Sequence, residues 1–259
     1  MARRGFELQA AARDAKLLLP DDGNARDGFY DLLLHYSFRL LLRDVLVHRD
    51  AFNERDLQKY CSAECVARYL GALQAAGLVR RADGGAFRLA KDTVDSFGDT
   101  LEWLTAEVLR RQLGMEAVSG VRLRSAAGGG DYDVLASAEG ALLYVETKSA
   151  PPRHVHRREI AAFFARLDAL RPSAAILVED TRLRMSDKLL VMFEEQLAKR
   201  PGAPRAMSRL EDESFVLGDT LFLTNASPDL ATALGRCVVH YFRTRPYCLP
   251  GRDGPLAKQ

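Results

Sequence analysis

Residues 128–150, GGGDYDVLASAEGALLYVETKSA, constrain this chain more than any other stretch. Two apolar runs flank Glu139-Gly140, a dipeptide suited to a tight turn, so the segment reads as a β-hairpin. Side chains on a strand alternate faces, which puts Glu146 and Lys148 on one side and Thr147 on the other. Asp133 and Val145 flank the paired region, so the Asp133 carboxylate is brought beside that of Glu146. Two hard oxygen ligands and an ammonium group then converge, an arrangement suited to holding Mg²⁺ against a phosphodiester.

The order Asp133, hairpin, Glu146-Thr147-Lys148 resembles the PD-(D/E)XK nuclease superfamily, whose pattern is an Asp, a hairpin and then Glu-X-Lys. The separation, 146 − 133 = 13, fits that hairpin, and the resemblance covers roughly residues 95–180. It implies an α/β fold: a restriction-endonuclease-like mixed sheet flanked by helices. The superfamily often adds an acidic residue on the helix before the hairpin. Glu102, in FGDTLEWLTAEVLRRQLG, matches it; Glu107 is the alternative, five residues on and nearer the other helix face. Asp131 competes with Asp133, but the family's ligand directly precedes an apolar pair, here Val134-Leu135. Tyr132 stands where the strict pattern has proline.

By that resemblance, Asp133, Glu146, Glu102 and the Thr147 backbone carbonyl hold Mg²⁺ or Mn²⁺, with Glu102 serving a second ion or orienting a water. Lys148 contacts the scissile phosphate and holds or deprotonates the attacking water. A nearby dication and partial burial would both depress its pKa. The basic cluster after Lys148 includes Arg157 and Arg158, one of which is expected to steady the phosphate from the next helix. Glycines 128–130 read as a flexible turn before a strand.

Upstream, residues 26–44 show helical spacing through Phe29, Leu32, Leu33, Tyr36, Leu40 and Leu41. Asn53 and Ser62 stand as caps of two further helices, the second stopped by Gly77. LVRRADGGAFRLA then reads as two short strands around Asp83-Gly84-Gly85. Helices followed by a hairpin resemble a small winged helix-turn-helix domain. Its recognition helix, with Glu64 and only Arg68, suits base reading poorly. Its wing offers Arg80, Arg81, Arg88 and Lys91 for backbone contacts, and a protein partner is the equal alternative for this unit. The expected division is a loosely ordered tail over residues 1–24, the winged-helix-like domain over 25–92 and the nuclease-like domain over 93–259.

The chain has 259 residues, 47% of them apolar and 28% charged, which is ordinary for a globular protein. No apolar run approaches a membrane span, and the start does not read as a secretory signal, so a cytoplasmic protein without membrane contact is expected. A net charge of +2 announces no polyanion binder, and any grip on phosphate has to come from local clusters such as Arg153 to Arg158 and Arg182 with Arg184. The four cysteines, Cys61, Cys65, Cys237 and Cys248, lack the tight Cys/His pairing of a zinc site and read as free thiols. His35 and His48 read as structural.

The leading functional reading is a metal-dependent DNA endonuclease in repair, restriction or defence. The alternatives are a DNA- or protein-binding regulator that uses the nuclease fold as scaffold, and an RNA-directed nuclease. A homodimer through the apolar face of residues 29–42 is weighed against simple core packing of that face.

Overall fold

The structure, a computed structural model, describes residues 5–9, 16–124, 130–200, 202 and 206–245. Gly128, Gly129 and Cys248 lie outside these. The hairpin forms as its sequence dictates, from strands β5 (Gly130–Ala138) and β6 (Ala141–Lys148). Glu139 and Gly140 both take positive φ, 49° and 74°, the backbone of a two-residue turn whose twist matches that of the strands. Strand β4 (Glu116–Arg124) pairs antiparallel with β5, and β7 (Ala174–Glu179) runs parallel to β6. Strand β10 (Leu221–Asn225) lies parallel to β7, followed by β9 (Ser214–Leu217) and β8 (Ser208–Glu211). With β1 (Glu7–Gln9) on β4, the sheet is mixed and eight-stranded, in the order β1-β4-β5-β6-β7-β10-β9-β8.

Helices cover both faces. On one side lie α4 (Gly98–Arg111) and α7 (Leu230–Thr244), which pack Leu101, Leu104, Leu234 and Val238 against Val145, Ile176 and Val178. On the other lie α5 (Arg157–Leu170) and α6 (Leu189–Ala198), which pack Ile160, Phe163 and Phe193 against Tyr144, Ala175 and Leu177. Every residue of β7 is therefore buried, as its nearly continuous apolar run predicts for a strand covered on both faces.

The N-terminal segment departs from the expected loose tail. It supplies β1 to the sheet edge and buries Leu17, Leu18 and Leu19, with the Leu18 N–H donating to Thr100 Oγ1 at 2.9 Å. The single helix expected over residues 26–44 is two, α1 (Gly23–Leu34) and α2 (Tyr36–Val47), broken at an extended His35. The His35 N–H closes the first helix on the Leu32 carbonyl, and its own carbonyl opens the second by accepting from Phe38 and Arg39. Periodicity hides the break because Phe29 and Leu33 before it and Phe38 and Leu41 after it enter the same core. That burial also accounts for the apolar face considered for a dimer. A short 3₁₀ turn (Glu54–Leu57), α3 (Ala63–Ala75) and the hairpin of β2 (Val79–Arg81) and β3 (Phe87–Leu89) follow in the expected order, with Asn53 and Ser62 as the caps. One buried cluster runs from these helices through α4 to α7.

Candidate active site

Asp133 sits where the strand ladders give way. On the β4 side, pairs form at Val134 and Tyr132 but not at Asp133, which lies opposite Gly120 with φ 61°. On the β6 side the last pair is Val134 with Val145. An L side chain rarely adopts the Gly120 conformation, so glycine permits the local distortion. Released from the ladder, the Asp133 carboxylate accepts from the Thr147 N–H at 2.8 Å and its hydroxyl at 3.2 Å. A carboxylate thus replaces the missing ladder acceptor one residue past Glu146.

Glu146 is 1% exposed and is the hub of the cluster. Lys148 Nζ donates to its Oε1 at 2.9 Å, and Arg166 Nη1 reaches both of its oxygens at 3.1 and 3.0 Å. The Tyr144 hydroxyl donates to its Oε2. Glu159 stands 3.5 Å from Lys148. Alternation on β6 puts Tyr144, Glu146 and Lys148 on the face covered by α5, whose Glu159 and Arg166 lie seven residues and so two turns apart. Arg166, Glu159 and Tyr144 escaped the sequence reading. The available signal was a pair of opposite charges two turns apart beside the apolar stripe of α5.

The electrostatics set Asp133 apart from Lys148. Burial, then the charge of Glu146, lifts the Asp133 carboxyl to about 7 despite the Thr147 hydrogen bond and the nearby cations. Burial works against a charged Lys148, but Glu146, Asp133 and Glu159 outweigh it and hold the ammonium above its ordinary value. The depression expected from a nearby dication and partial burial concerns the metal-bound site; in the protein alone the neighbouring carboxylates outweigh the burial. Lys148 stands here as a proton-bearing cation.

The remaining expected residues are spread out. Glu102 lies on α4, part-buried, on the opposite side of the sheet from α5. Among the described residues no three His, Cys, Asp or Glu side chains cluster so as to hold a metal ion, so Glu102 does not complete such a set with Asp133 and Glu146. Its alternative, Glu107, is engaged by Arg110 and by Arg111 at 2.6 Å. Asp131 is half-exposed and pairs with Arg122 at 2.8 Å, away from Thr147. Arg157 bonds Glu195 at 2.8 and 2.9 Å on the surface, and Arg158 is exposed. On the β2–β3 hairpin, Arg80 and Arg81 are exposed, Arg81 lying over the Phe87 ring, while Arg88 stands 3.8 Å from Asp92. Cys61, Cys65 and Cys237 are free thiols.

The next strand adds two carboxylates that the sequence reading missed. Glu179, in register with Lys148, is fully buried with no partner on either oxygen, and burial raises it to about 8. Asp180 is clasped from α2 by Arg39, at 2.8 to 3.1 Å, and by Arg43. Its N–H donates to the Lys148 carbonyl at 2.8 Å.

No family model and no curated protein matches the chain. Among solved structures, Can2 from Sulfobacillus thermosulfidooxidans, in complex with cyclic tetra-adenylate, matches with a TM-score of 0.56 at 12% identity. The match covers 93% of this chain and 59% of Can2, so the chain spans little more than half of that protein's length. Protein VC1899 from Vibrio cholerae matches at a TM-score of 0.46 and 15% identity, over 75% of this chain and 54% of its own. The likeness to Can2 is one of fold: helices on a mixed sheet. No helix among the described residues is long and apolar enough to cross a membrane.

Proposed function

We propose that the chain is a metal-dependent nuclease of the PD-(D/E)XK type, most specifically a DNA endonuclease acting in repair, restriction or defence against foreign DNA. The observation that carries this reading is the meeting of Asp133, Glu146 and Lys148 at adjoining strand ends, with one carboxyl lifted to about 7 by burial and its neighbour's charge. Crowded carboxylates of that kind are what a dication relieves, and Mg²⁺ accepts one or two of them, completing its shell with waters and phosphate oxygens. The donor set therefore fits Mg²⁺ or Mn²⁺, held by Asp133, Glu146 and the Thr147 backbone carbonyl. When bound, the ion activates water and neutralises charge at the phosphorus.

The chain's own residues supply the rest. Lys148, held protonated, binds a phosphate oxygen and orients the attacking water. Arg166 fixes the Glu146 carboxylate through Nη1, which donates to both of its oxygens. Thr147 fixes Asp133 through two hydrogen bonds, and Glu159 holds the Lys148 ammonium from the helix side. Residues 25–92 are read as a winged-helix-like accessory unit, contacting the DNA backbone through Arg80, Arg81 and Arg88 or docking a protein partner, and residues 93–259 as the nuclease unit.

One observation favours a second reading. Glu146 already has Lys148, Arg166 and Tyr144 as partners, a set complete without metal. In that reading the cluster is an ion-paired scaffold in a DNA- or protein-binding regulator. The cyclic ribonucleotide carried by Can2 keeps RNA as the third arm of the test. Purified protein is assayed on supercoiled plasmid, linear duplex, single-stranded DNA and RNA with Mg²⁺, Mn²⁺ or EDTA. Metal-dependent cutting that disappears in Asp133→Ala and Lys148→Ala supports the nuclease and names its substrate. Absence of cutting under all conditions, with salt-sensitive DNA binding, moves the assignment to the regulator.

A further inference from the structure

The ends of β6 and β7 open onto a cleft of about 800 Å³. One wall is α2, with Tyr36 and Arg43; a second is the chain leaving β6 at residues 151–153; the third is the loop after β7, residues 180–188. A hollow of about 550 Å³ continues it past Tyr36 and Tyr60 to Pro228. The floor is bonded to the proposed site, because Asp180 donates its N–H to the carbonyl of Lys148.

The lining combines two properties that are separate in the sequence. Arg153, Arg182, Arg184 and Lys188 all face this space, against Asp187 and an Asp180 already paired with two arginines. Three of these four cations come from the two basic clusters, after Lys148 and around residue 182, that the catalytic geometry leaves unused. Tyr60 and Leu183, 47% and 59% exposed, are large apolar side chains kept in contact with solvent, and both line the same cleft. Arg182 lies over the Tyr36 ring at 5.2 Å and Lys59 over the Tyr60 ring at 4.9 Å, so cations and rings are interleaved.

We infer that this cleft binds single-stranded nucleic acid, with phosphates on Arg153, Arg182, Arg184 and Lys188 and an unstacked base against Tyr60 and Leu183. A positive groove that tracks the backbone, with aromatic surface for bases, is how single strands are held without sequence readout. A duplex hides its base faces and is read by an element that protrudes into its grooves. The feature here is concave. The role of the cleft, leading a strand to Lys148, rests on the nuclease reading; binding itself does not.

Fluorescence anisotropy in EDTA, where metal-dependent cutting is silent, tests the site with a labelled oligothymidylate, a matched duplex and an oligoglutamate. The single strand is expected to bind tightest. Arg182→Ala with Arg184→Ala flattens the salt dependence of log K by about 0.7 for each lost phosphate contact. Tyr60→Ala weakens binding at least about fivefold and leaves the salt slope unchanged. All three side chains belong to residues at the surface, and circular dichroism checks that each variant is folded. The assignment is overturned if duplex or oligoglutamate binds as tightly as the strand, or if both sets of variants bind like the parent. Strand binding that responds to these variants, in a protein that cuts nothing with any metal, upholds the cleft and removes the nuclease reading alone.

Discussion

At the carboxyl ends of β6 and β7, buried carboxylates point to both faces of the sheet, and the two faces treat them differently. Toward α2, Asp180 is enclosed by Arg39 and Arg43; burial opposes its charge, but the two guanidinium groups outweigh it and hold the carboxyl below its ordinary value. Toward α5, Glu179 is lifted to about 8, and Asp133, at the neighbouring end of the β5–β6 ladder, to about 7, burial being the largest cause for each. One face has satisfied its charges within the protein. The other holds acidic groups that lack sufficient counter-charge, beside a lysine and an arginine. A structural ion pair and a functional site are separated here by which face carries the unmet demand for positive charge.

The largest expected effect tests the unsatisfied face. Lys148→Ala lowers cleavage about a hundredfold or more, the loss typical of removing a group that positions or transfers a proton, while DNA binding in EDTA changes little. Parent-like cleavage by that variant, with contaminating nuclease excluded, removes Lys148 from the mechanism.

The satisfied face comes next. Asp180→Ala leaves Arg39 buried without a counter-charge, with the Leu33 and Leu34 carbonyls at 2.7 and 3.1 Å and the Tyr36 ring as partners. Breaking a buried pair in this way costs about 3–5 kcal/mol, read as a lower urea midpoint. The pH sign follows from the lowered carboxyl. Its contribution is fully present above the unfolded value of 3.8 and is lost as pH falls through the lower folded value, so the parent loses this stability in acid and the variant has none of it to lose. A loss under about 1 kcal/mol would mean that water or another group replaces the clasp.

Glu179 sharpens the comparison because it is the neighbour of Asp180 with the opposite shift. Its folded value, about 8, lies above the unfolded 4.5, so the folded state binds the extra proton and stability falls as pH rises across that window. Glu179→Gln removes a slope of roughly 1 kcal/mol per pH unit. The part contributed by Asp133, which has the same sign between 3.8 and about 7, remains. Urea midpoints from pH 5 to 9 measure both, and an unchanged slope in the variant would show that Glu179 is charged in the folded protein.

The sequence made the hairpin's share of the unsatisfied face legible and left Glu179 and the whole satisfied face hidden. Asp133, Glu146 and Lys148 sit in one hairpin, where period-two alternation and a positive-φ turn are local signals, and the structure brings them together at the expected strand ends. Arg39 and Asp180 lie 141 residues apart and carry no shared pattern. Arg166 and Glu159 were visible only once α5 was known to lie over β6. The β8–β9 hairpin escaped because Glu211, Asp212 and Glu213 interrupt its short apolar stretch at the turn. Glu102 was carried by resemblance, and the structure adds no three-carboxylate set to support it. Local periodicity thus reported the hairpin, while everything that depends on which helix covers which strand required the assembled fold.

The smallest expected effect concerns two arginines on α5. Arg157 follows Lys148 closely in the chain and is one of the two arginines, with Arg158, of which one is expected to steady the phosphate; its guanidinium bonds Glu195 at the surface. Arg166, nine residues further on, is the one that reaches Glu146. An exposed pair such as Arg157–Glu195 contributes about 0–1 kcal/mol and is screened by salt. Arg157→Ala therefore leaves the urea midpoint nearly unchanged and cleavage at the parent rate, whereas Arg166→Ala strips Glu146 of the guanidinium nitrogen that donates to both its oxygens and lowers cleavage. Measured side by side under one salt condition, equal losses in the two variants would mean that Arg157 leaves Glu195 when substrate binds, and that proximity to Lys148 in the chain was the better guide after all.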